Sequence, residues 1–260
     1  MSVFLFDDLV FGPVMSRRLG VSLGINVLPI NRKICSFNCI YCECGWTEKA
    51  SIPKEEFPPM ALIIDALERK ILELINDNIL PDSITFAGNG EPTLYPDFPE
   101  IVTKVIELRD KYLPKTLITL LSNATTIRDK AIEEALLNID QNILKLDAGE
   151  ELLFKFINRP EKSVKKDNLV ENIAAFKGKV IIQSLFLKGI MPDGTIFDNT
   201  TQQALNEWIA DIKKINPLFV MIYSIARTTP LKGIEKINKA TLYDISRQLI
   251  SEGIKAKFYE

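Results

Sequence analysis

Four cysteines stand within ten residues of one another, and the rest of the 260-residue chain contains none. Cys35, Cys39 and Cys42 have the spacing C-x3-C-x2-C, and Cys44 follows shortly after. Thiolates are soft metal ligands, so this run indicates free thiols in a reduced loop, a zinc site or an iron–sulfur cluster. Zinc would need Cys44 as a cramped fourth ligand, whereas structural zinc sites usually draw ligand pairs from separate segments. A cluster held by three cysteines leaves one iron open to another ligand.

Histidine is absent from the sequence. This excludes Ser–His–Asp and Cys–His catalysis, histidine-ligated zinc and histidine general bases. The net charge of −2 gives no overall basic field for nucleic acid. No apolar run is long enough to span a bilayer, and the N-terminus lacks the basic region of a secretory signal. We therefore expect a cytoplasmic protein without a membrane partner, whose cysteines stay reduced.

Apolar segments rich in β-branched and aromatic residues alternate with amphipathic segments. The predicted strands are 21–28, 83–88, 115–122, 142–147, 179–187 and 218–225, and the predicted helices are 60–77, 97–112, 127–137, 167–176, 201–214 and 239–252. This alternation predicts an α/β fold with a parallel sheet, either doubly wound or a partial (β/α)6 TIM-like barrel. We expect one domain over residues 1–260, with a functional loop at 29–57 and a C-terminal tail at 253–260.

Polar residues and glycines stand at or near the ends of four predicted strands, where reacting groups belong in either architecture. They are Gly88, Asn89, Gly90 and Glu91 after the second strand, Ser122 and Asn123 at the end of the third, Asp147 at the end of the fourth, and Gln183 and Ser184 in the fifth. The first group could form only a tight turn, because Gly, Asn and Pro favour turns. Ser, Asn and Asp could instead cap the helices that follow.

Together these features resemble the radical S-adenosylmethionine (SAM) superfamily. Its members carry the same cysteine spacing with an aromatic residue before the third cysteine, here Tyr41, and a Gly-Gly-Glu-Pro-like element after the second strand. Asn89 replaces the first glycine of that element, a change that asparagine tolerates because it enters left-handed conformations. The resemblance implies a 4Fe–4S cluster on Cys35, Cys39 and Cys42, with SAM on the open iron. It implies these SAM-binding residues: Tyr41, Gly88, Asn89, Gly90, Glu91, Ser122, Asn123, Asp147, Gln183, Ser184 and Ile225.

The resemblance also implies an oxidoreductase reaction. An electron from a donor such as flavodoxin or ferredoxin reaches the cluster and cleaves SAM to methionine and a 5′-deoxyadenosyl radical, which abstracts hydrogen from a substrate. Histidine is not needed, because the cofactor carries the hard step. Two alternatives stay open: a glycyl-radical activase that acts on a protein, and a non-catalytic iron–sulfur or zinc-binding module.

Three further stretches resemble a narrower branch, the wyosine-type tRNA-modifying enzymes (4-demethylwyosine synthase-like). They are GPVMSRRLG, LDA followed by INRP, and ARTTP, in that order along the chain. The sequence lacks the extra N-terminal cysteines that hold a second cluster in that branch, and Ala226 replaces an expected acidic residue. The branch implies tRNA, or another nucleotide-like or carboxylated molecule, as the substrate.

Four arginines belong to these stretches: Arg17, Arg18, Arg159 and Arg227. They are either solvated surface groups or, if they converge, a bidentate site for a carboxylate or phosphate. Arg159 and Arg227 are therefore candidate catalytic residues. Cys44 is a third candidate, and its alternative role is that of a bystander beside the cluster.

Overall fold

The computed structural model describes residues 4–47, 52–226, 229 and 231–260. The strands in this part of the chain are β1 (Val10–Ser16), β2 (Gly20–Ile25), β3 (Ser83–Phe86), β4 (Leu117–Ser122), β5 (Gln141–Lys145), β6 (Ile181–Ile190), β7 (Ile196–Asp198), β8 (Phe219–Ser224), β9 (Ile234–Lys236) and β10 (Ala256–Tyr259). The α-helices are α1 (Met60–Asn76), α2 (Phe98–Tyr112), α3 (Lys130–Leu137), α4 (Glu151–Asn158), α5 (Lys166–Ala174), α6 (Gln202–Ile215) and α7 (Lys239–Ser251). None of the helices so described is long and apolar enough to cross a membrane.

Six parallel strands form the body of the sheet in the order β2-β3-β4-β5-β6-β8. Each is followed by at least one helix before the next parallel strand. The order of the strands across the sheet is the same as their order along the chain. A doubly wound sheet would reverse its strand order at a switch point, and this sheet does not. The predicted α/β class and partial (β/α)6 TIM-like barrel are confirmed.

The helices cover the outside of the sheet with apolar stripes. In α1 the buried residues are Ile63, Leu67, Ile71 and Leu74, at the three- and four-residue spacing of one helical face. Full burial of each such side chain stabilises the fold by roughly 1.5–3 kcal/mol. The core formed in this way leaves the carboxyl ends of the strands free to carry polar groups.

Two edges of the sheet differ from the prediction. Residues 253–260 were expected to be a tail but contain β10, which pairs in parallel with β8 after the crossover through α7. The four residues of β10 are too short a segment to show a strand pattern, but Ala256 and Phe258 pack against the core and the strand pairs with β8 along its length. At the other edge β1 pairs antiparallel with β2, and Pro13 is tolerated there because it lies in an edge strand.

Candidate active site

The cysteine loop leaves the carboxyl end of β2 and is fastened to the turn after β3 by backbone hydrogen bonds. The Ile34 N–H donates to the Asn89 carbonyl, and the Ile34 carbonyl accepts from the Glu91 N–H, each at 2.9 Å. Gly90 lies between them with φ of 138°, and a Cβ there would stand 1.8 Å from the Ile34 carbonyl oxygen. Glycine is therefore required at this position by both conformation and space.

A second set of bonds fastens the loop to the end of α4. Phe37 forms a β-bridge with Pro160, and the Ile40 N–H donates to the Ile157 carbonyl at 2.9 Å. The Asn38 N–H donates to the carbonyl oxygens of Asn158 and Arg159, at 3.0 and 3.1 Å. The loop thus lies between the ends of β3 and β5, where the strand–helix units direct it.

The three thiols predicted as metal ligands line one cavity of about 570 Å³: Cys35, Cys39 and Cys42. Side-chain amides reach two of the sulfurs, with Asn123 Nδ2 3.5 Å from Cys35 Sγ and Asn158 Nδ2 3.5 Å from Cys39 Sγ. Such donors stabilise thiolates and cluster sulfurs. A 4Fe–4S cluster binds each thiolate to a different iron, and three sulfurs on one wall suit that donor set. Among the described residues, no three or more His, Cys, Asp and Glu side chains are grouped so as to hold a single metal ion, whereas a cluster would bind these thiolates on separate irons.

Lys33 places a positive charge beside the thiols. It is only 4% exposed and donates to the Gly45 carbonyl at 3.0 Å. Burial lowers the pKa of Lys33, but the neighbouring cysteines, Cys42 foremost, outweigh it and raise that pKa overall. A buried ammonium here would offset the negative charge that three metal-bound thiolates bring to the wall.

The four cysteines differ in acidity. A hydrogen bond from Cys44, helped by Lys33, lowers the pKa of Cys42 to about 6. The same bond to Cys42, together with burial, raises the pKa of Cys44, whose Sγ also lies 3.7 Å from the Gly88 carbonyl oxygen. Burial raises the pKa of Cys35 to about 12 and also raises that of Cys39. Cys42 is therefore the more acidic thiol of this pair, and Cys44 is the less acidic one.

Glu91 is a buried carboxylate on the wall of the same cavity. Thr93 donates to one oxygen from its N–H at 3.2 Å and its hydroxyl at 2.6 Å, and the Ser122 hydroxyl donates to it at 2.8 Å. The Asn123 N–H donates to the other oxygen at 2.6 Å. Burial raises the pKa of Glu91, because all four donors are uncharged and only partly compensate for lost hydration. A cationic group in the cavity would be the natural further partner.

Asp147 is a second buried carboxylate, but it lies behind the wall. Its Oδ1 accepts from the Lys145 ammonium at 3.1 Å and the Leu185 N–H at 2.8 Å. Its Oδ2 accepts from the Tyr41 hydroxyl and from Asn158 Nδ2 at 2.7 Å. Asp147 therefore holds residues that face the cavity rather than facing it itself.

The helix-capping alternative is wrong for both Asn123 and Asp147. Helix α3 is capped by Asp129, whose side chain accepts from two backbone N–H groups, and α4 begins after Glu150. The Asn123 side chain instead accepts from Thr125 and donates to the Ser36 hydroxyl at 2.9 Å.

The structure brings most of the predicted SAM-binding residues to the cavity. Those on its wall are Tyr41, Gly88, Gly90, Glu91, Ser122, Asn123, Gln183 and Ile225. Ser184 faces away from it, because its hydroxyl donates to the Leu146 carbonyl and accepts from the indole N–H of Trp208 at 3.1 Å.

Asn89 is also turned away from the cavity. Its side-chain amide exchanges two hydrogen bonds with the backbone of Phe6, at 2.8 and 2.9 Å. The expectation of a left-handed backbone at Asn89 is wrong, because Gly88 and Gly90 carry the positive φ angles of this turn, 146° and 138°. The two glycines make the tight turn, and the asparagine between them ties it to the N-terminal segment.

The candidate catalytic residues have different positions. Cys44 lies on the cavity wall. Arg159 is exposed at the end of α4, with its guanidinium carbon 5.2 Å from the centre of the Trp46 ring, and does not line the cavity. Arg227 lies outside the described residues.

Three residues of the site were not predicted from the sequence: Lys33, Asn158 and Tyr223. The Tyr223 hydroxyl accepts from Gln183 Nε2 at 2.6 Å and from the Lys145 ammonium at 3.0 Å. Asn158 belongs to the INRP stretch, and Lys33 lies just before the first cysteine, so both had a signal in the motifs. Tyr223 had none, because a tyrosine in an apolar strand is typical of a core.

Residues 33–193, well over half of the chain, match the family model of the Radical SAM superfamily. The chain belongs to the radical SAM superfamily. Enzymes of this superfamily use a 4Fe–4S cluster and SAM, and they typically need an electron donor. The cavity described above holds the cysteines of that superfamily's motif.

Relatives among curated proteins extend this match to most of the chain. It is 35% identical over 233 residues to a protein named GTPase Obg from Brachyspira hyodysenteriae, with 88% of this chain and 32% of that protein covered. It is 35% identical over 214 residues to a UPF0026 protein of Methanocaldococcus jannaschii, with 80% of this chain and 61% of that protein covered. A UPF0026 protein of Synechocystis is 32% identical over 228 residues, covering 86% and 77%, so the chain belongs to this group too. The chain spans a third to three-fifths of the first two relatives.

Solved structures share the fold at low sequence identity. A radical SAM methyltransferase from Sphaerobacter thermophilus superposes with a TM-score of 0.68 at 12% identity, over 92% of this chain and 65% of that one. For anSMEcpe with bound AdoMet the TM-score is 0.58 at 16% identity, covering 91% and 63%. For archaeal TYW1 it is 0.53 at 12% identity, covering 88% and 71%.

Proposed function

We propose that this chain cleaves SAM reductively and directs the resulting 5′-deoxyadenosyl radical at a hydrogen atom of its substrate. The observation that carries the proposal is that three thiols and the Glu91 carboxylate line a single cavity at the carboxyl ends of parallel strands. Cys35, Cys39 and Cys42 would hold the 4Fe–4S cluster. When bound, the cluster supplies the electron that breaks a carbon–sulfur bond of SAM.

Glu91 has the properties needed to bind the amino group of SAM. Its oxygens are fixed by four uncharged donors, and burial raises its pKa. An ammonium in the cavity would pair with it and lower that pKa again. The remaining wall offers hydroxyl, amide and apolar groups from Ser122, Asn123, Gln183 and Ile225. A volume of about 570 Å³ lies within the range of small-molecule sites.

The residues behind the wall would keep the ligands in place. Asp147 accepts from Tyr41 and Asn158, and Asn158 in turn contacts the Cys39 sulfur. Lys33 would offset the charge of the thiolates and of a bound cluster. We assign Cys44 to a supporting role, because its proton is shared with Cys42 and its pKa is raised.

The proposal extends to the whole chain and its partners. One sheet runs from β1 to β10, which supports a single radical SAM domain over residues 1–260. The electron would come from a donor such as flavodoxin or ferredoxin, and the reduced thiols suit the cytoplasm. The GPVMSRRLG, INRP and ARTTP motifs support a relationship to the wyosine-type tRNA-modifying branch, with tRNA or a small carboxylated molecule as the substrate.

Anaerobic reconstitution tests the proposal. Wild-type protein should bind close to four irons, its reduced cluster should show an electron paramagnetic resonance spectrum that SAM changes, and dithionite should produce 5′-deoxyadenosine. Cys39→Ala should lose all three properties, whereas the matched variant Cys44→Ala should keep them. If SAM does not change the spectrum of the wild-type cluster, the enzyme proposal is wrong and the chain is a non-catalytic iron–sulfur module. Loss of the cluster in Cys44→Ala would place that thiol among the ligands.

A further inference from the structure

The hairpin between β1 and β2 brings Arg18 to the barrel from the side opposite the cysteine loop. The hairpin turn precedes the first residue of β2, Gly20, whereas the cysteine loop follows the carboxyl end of that strand. Leu19 packs against buried residues of β5, β6 and β8 and so anchors the turn at the barrel. The guanidinium carbon of Arg18 lies 4.4 Å from the centre of the Tyr223 ring.

Arg18 lines two adjoining cavities. One is the 570 Å³ cavity with the thiols, and the other is a chamber of about 130 Å³ that shares Arg18, Ala87, Leu121, Ile143 and Gln183 with it. Among the described residues that line the chamber, Arg18 is the one that carries a charge, and the others are apolar or carry hydroxyl groups and the Gln183 amide. A molecule that extends from the thiols into the chamber would therefore meet a single positive charge at its far end.

The Arg18 guanidinium has unused donor capacity. Its Nη1 is fully buried and has no hydrogen-bond partner. Within residues 4–47, 52–226, 229 and 231–260, no carboxylate forms an ion pair with Arg18 or its neighbour Arg17. Lys145, which also lines the larger cavity, differs because Asp147 and Tyr223 already accept from it. A charged donor that is buried without an acceptor is unfavourable, so a ligand that supplies one gains a strong bond.

The shape of the site selects the kind of anion. A guanidinium binds a carboxylate through two parallel N–H···O bonds, which gives direction as well as charge. The chamber is small, so the end of a small molecule fits there, whereas a polymer backbone continues on both sides of each phosphate. A bound SAM would present its carboxylate at the opposite end of the cavity, where the three thiols would hold the cluster.

We propose that Arg18 binds the carboxylate of a small organic acid substrate, whose other end points toward the cluster. This rests on the proposed SAM cleavage, because the acid would present its reacting carbon to the radical formed there. The Arg18 contact fixes the distance between the two ends of the substrate and so selects acids of a certain length.

Ligand-induced stabilisation of the reconstituted holoenzyme with SAM tests the assignment. Acetate, succinate and inorganic phosphate serve as probes, each against sodium chloride at equal ionic strength, with the thermal midpoint followed over a concentration series. We expect a carboxylate to raise the midpoint of the wild type and its apparent Kd to weaken about tenfold or more in Arg18→Gln. Arg247→Gln, the same change at an exposed helix position, should behave as wild type. Arg18→Lys keeps the charge but not the two parallel N–H donors of the guanidinium. Its apparent Kd should lie between those of the wild type and Arg18→Gln.

Other outcomes overturn the assignment. They are the absence of a carboxylate effect in the wild type, an equal loss in Arg247→Gln, a response to phosphate alone, and an Arg18-dependent binding of tRNA without any carboxylate response. If Arg18→Gln abolishes the effect of SAM on the cluster spectrum, the arginine belongs to the SAM site instead. The wild-type spectrum with SAM reports separately on the proposed function. If Arg18→Gln does not fold, the Arg18→Lys titration decides.

Discussion

Two buried carboxylates hold the two sides of the cysteine loop, and they do so in different ways. Glu91 follows β3 and Asp147 follows β5, and each accepts four hydrogen bonds. Each is also bonded to an asparagine that contacts a cysteine sulfur, Asn123 beside Glu91 and Asn158 beside Asp147. The difference is charge: Asp147 pairs with an ammonium of the protein, whereas the donors to Glu91 are all neutral.

This difference separates a structural group from a binding group. The charge of Asp147 is compensated within the protein, so its burial behind the wall needs no ligand. The charge of Glu91 is not, and burial raises its pKa. A carboxylate on a cavity wall with a raised pKa is suited to receive a cation, whereas one with its own lysine is suited to hold neighbours in place.

Asp147→Asn should have the largest effect. The amide would turn a donor toward two existing donors and leave the Lys145 ammonium, only 17% exposed, without its counter-charge. Removing one partner of such a buried pair costs about 3–5 kcal/mol of unfolding free energy. Chemical denaturation measures the loss, and we expect the iron content to fall as well. Asp211→Asn, which breaks the Lys166–Asp211 pair between α5 and α6, should lower stability but leave the iron content unchanged.

Glu91→Gln should act on SAM more than on the fold. Loss of a charged hydrogen-bond partner weakens binding by about 1.5–3 kcal/mol, which corresponds to roughly 10- to 150-fold in Kd. Equilibrium dialysis of SAM with the reconstituted protein measures this, and Glu134→Gln on the exposed face of α3 is the control. Unchanged affinity in Glu91→Gln would remove Glu91 from the SAM site.

The same variant gives a test through pH. The pKa of Glu91 is raised above its ordinary value of 4.5 in the folded protein, so the protonated form is favoured by folding. Relative to Glu91→Gln, the wild type should therefore lose stability as pH rises from about 4.5 through the raised pKa, and regain it as pH falls. Denaturation of both proteins over this window, with and without SAM, measures the difference. SAM should flatten the dependence if its ammonium pairs with Glu91.

Asn158→Ala should have a smaller effect, on the Asp147 side of the loop. It removes the 2.7 Å bond to Asp147 and the contact to Cys39 Sγ, at a cost of about 1–2 kcal/mol. Because hydrogen bonds to sulfur raise the potential of a cluster, the variant's reduction potential should fall. A redox titration followed by electron paramagnetic resonance shows this, and an unchanged potential would leave Asn158 a merely structural role.

Ser184→Ala should have the smallest effect. The variant loses the bonds to the Leu146 carbonyl and the Trp208 indole, about 1 kcal/mol of stability, and nothing in the cavity. SAM affinity should match the wild type. A weaker affinity would restore Ser184 to the SAM-binding set that the sequence predicted.

The sequence predicted the elements of the barrel better than the orientation of its side chains. The six parallel strands follow from their apolar runs, whereas β10 depends on a neighbouring edge that no local pattern reveals. Gln183 and Ser184 are adjacent in one strand, so they must point to opposite faces, and only Gln183 faces the cavity. The two-residue alternation of side chains along a strand would have excluded one of the two from the cavity. Which one it excludes depends on the side of the sheet that the helices cover. The prediction for Asn89 failed for a related reason, because the flanking glycines took the left-handed conformation.

The backbone bonds that fasten the cysteine loop at Ile34 and Phe37 also concern how the cofactor is acquired. A free loop would lose conformational entropy when it closed around a cluster, and that loss would weaken cofactor affinity. Here the ordering of these two loop segments accompanies the folding of the barrel, because their partners lie at residues 89–91 and 157–160 of other strand–helix units. The apoprotein thus presents a preorganised set of thiols, and more of the metal–sulfur bond energy is retained as affinity for the cluster.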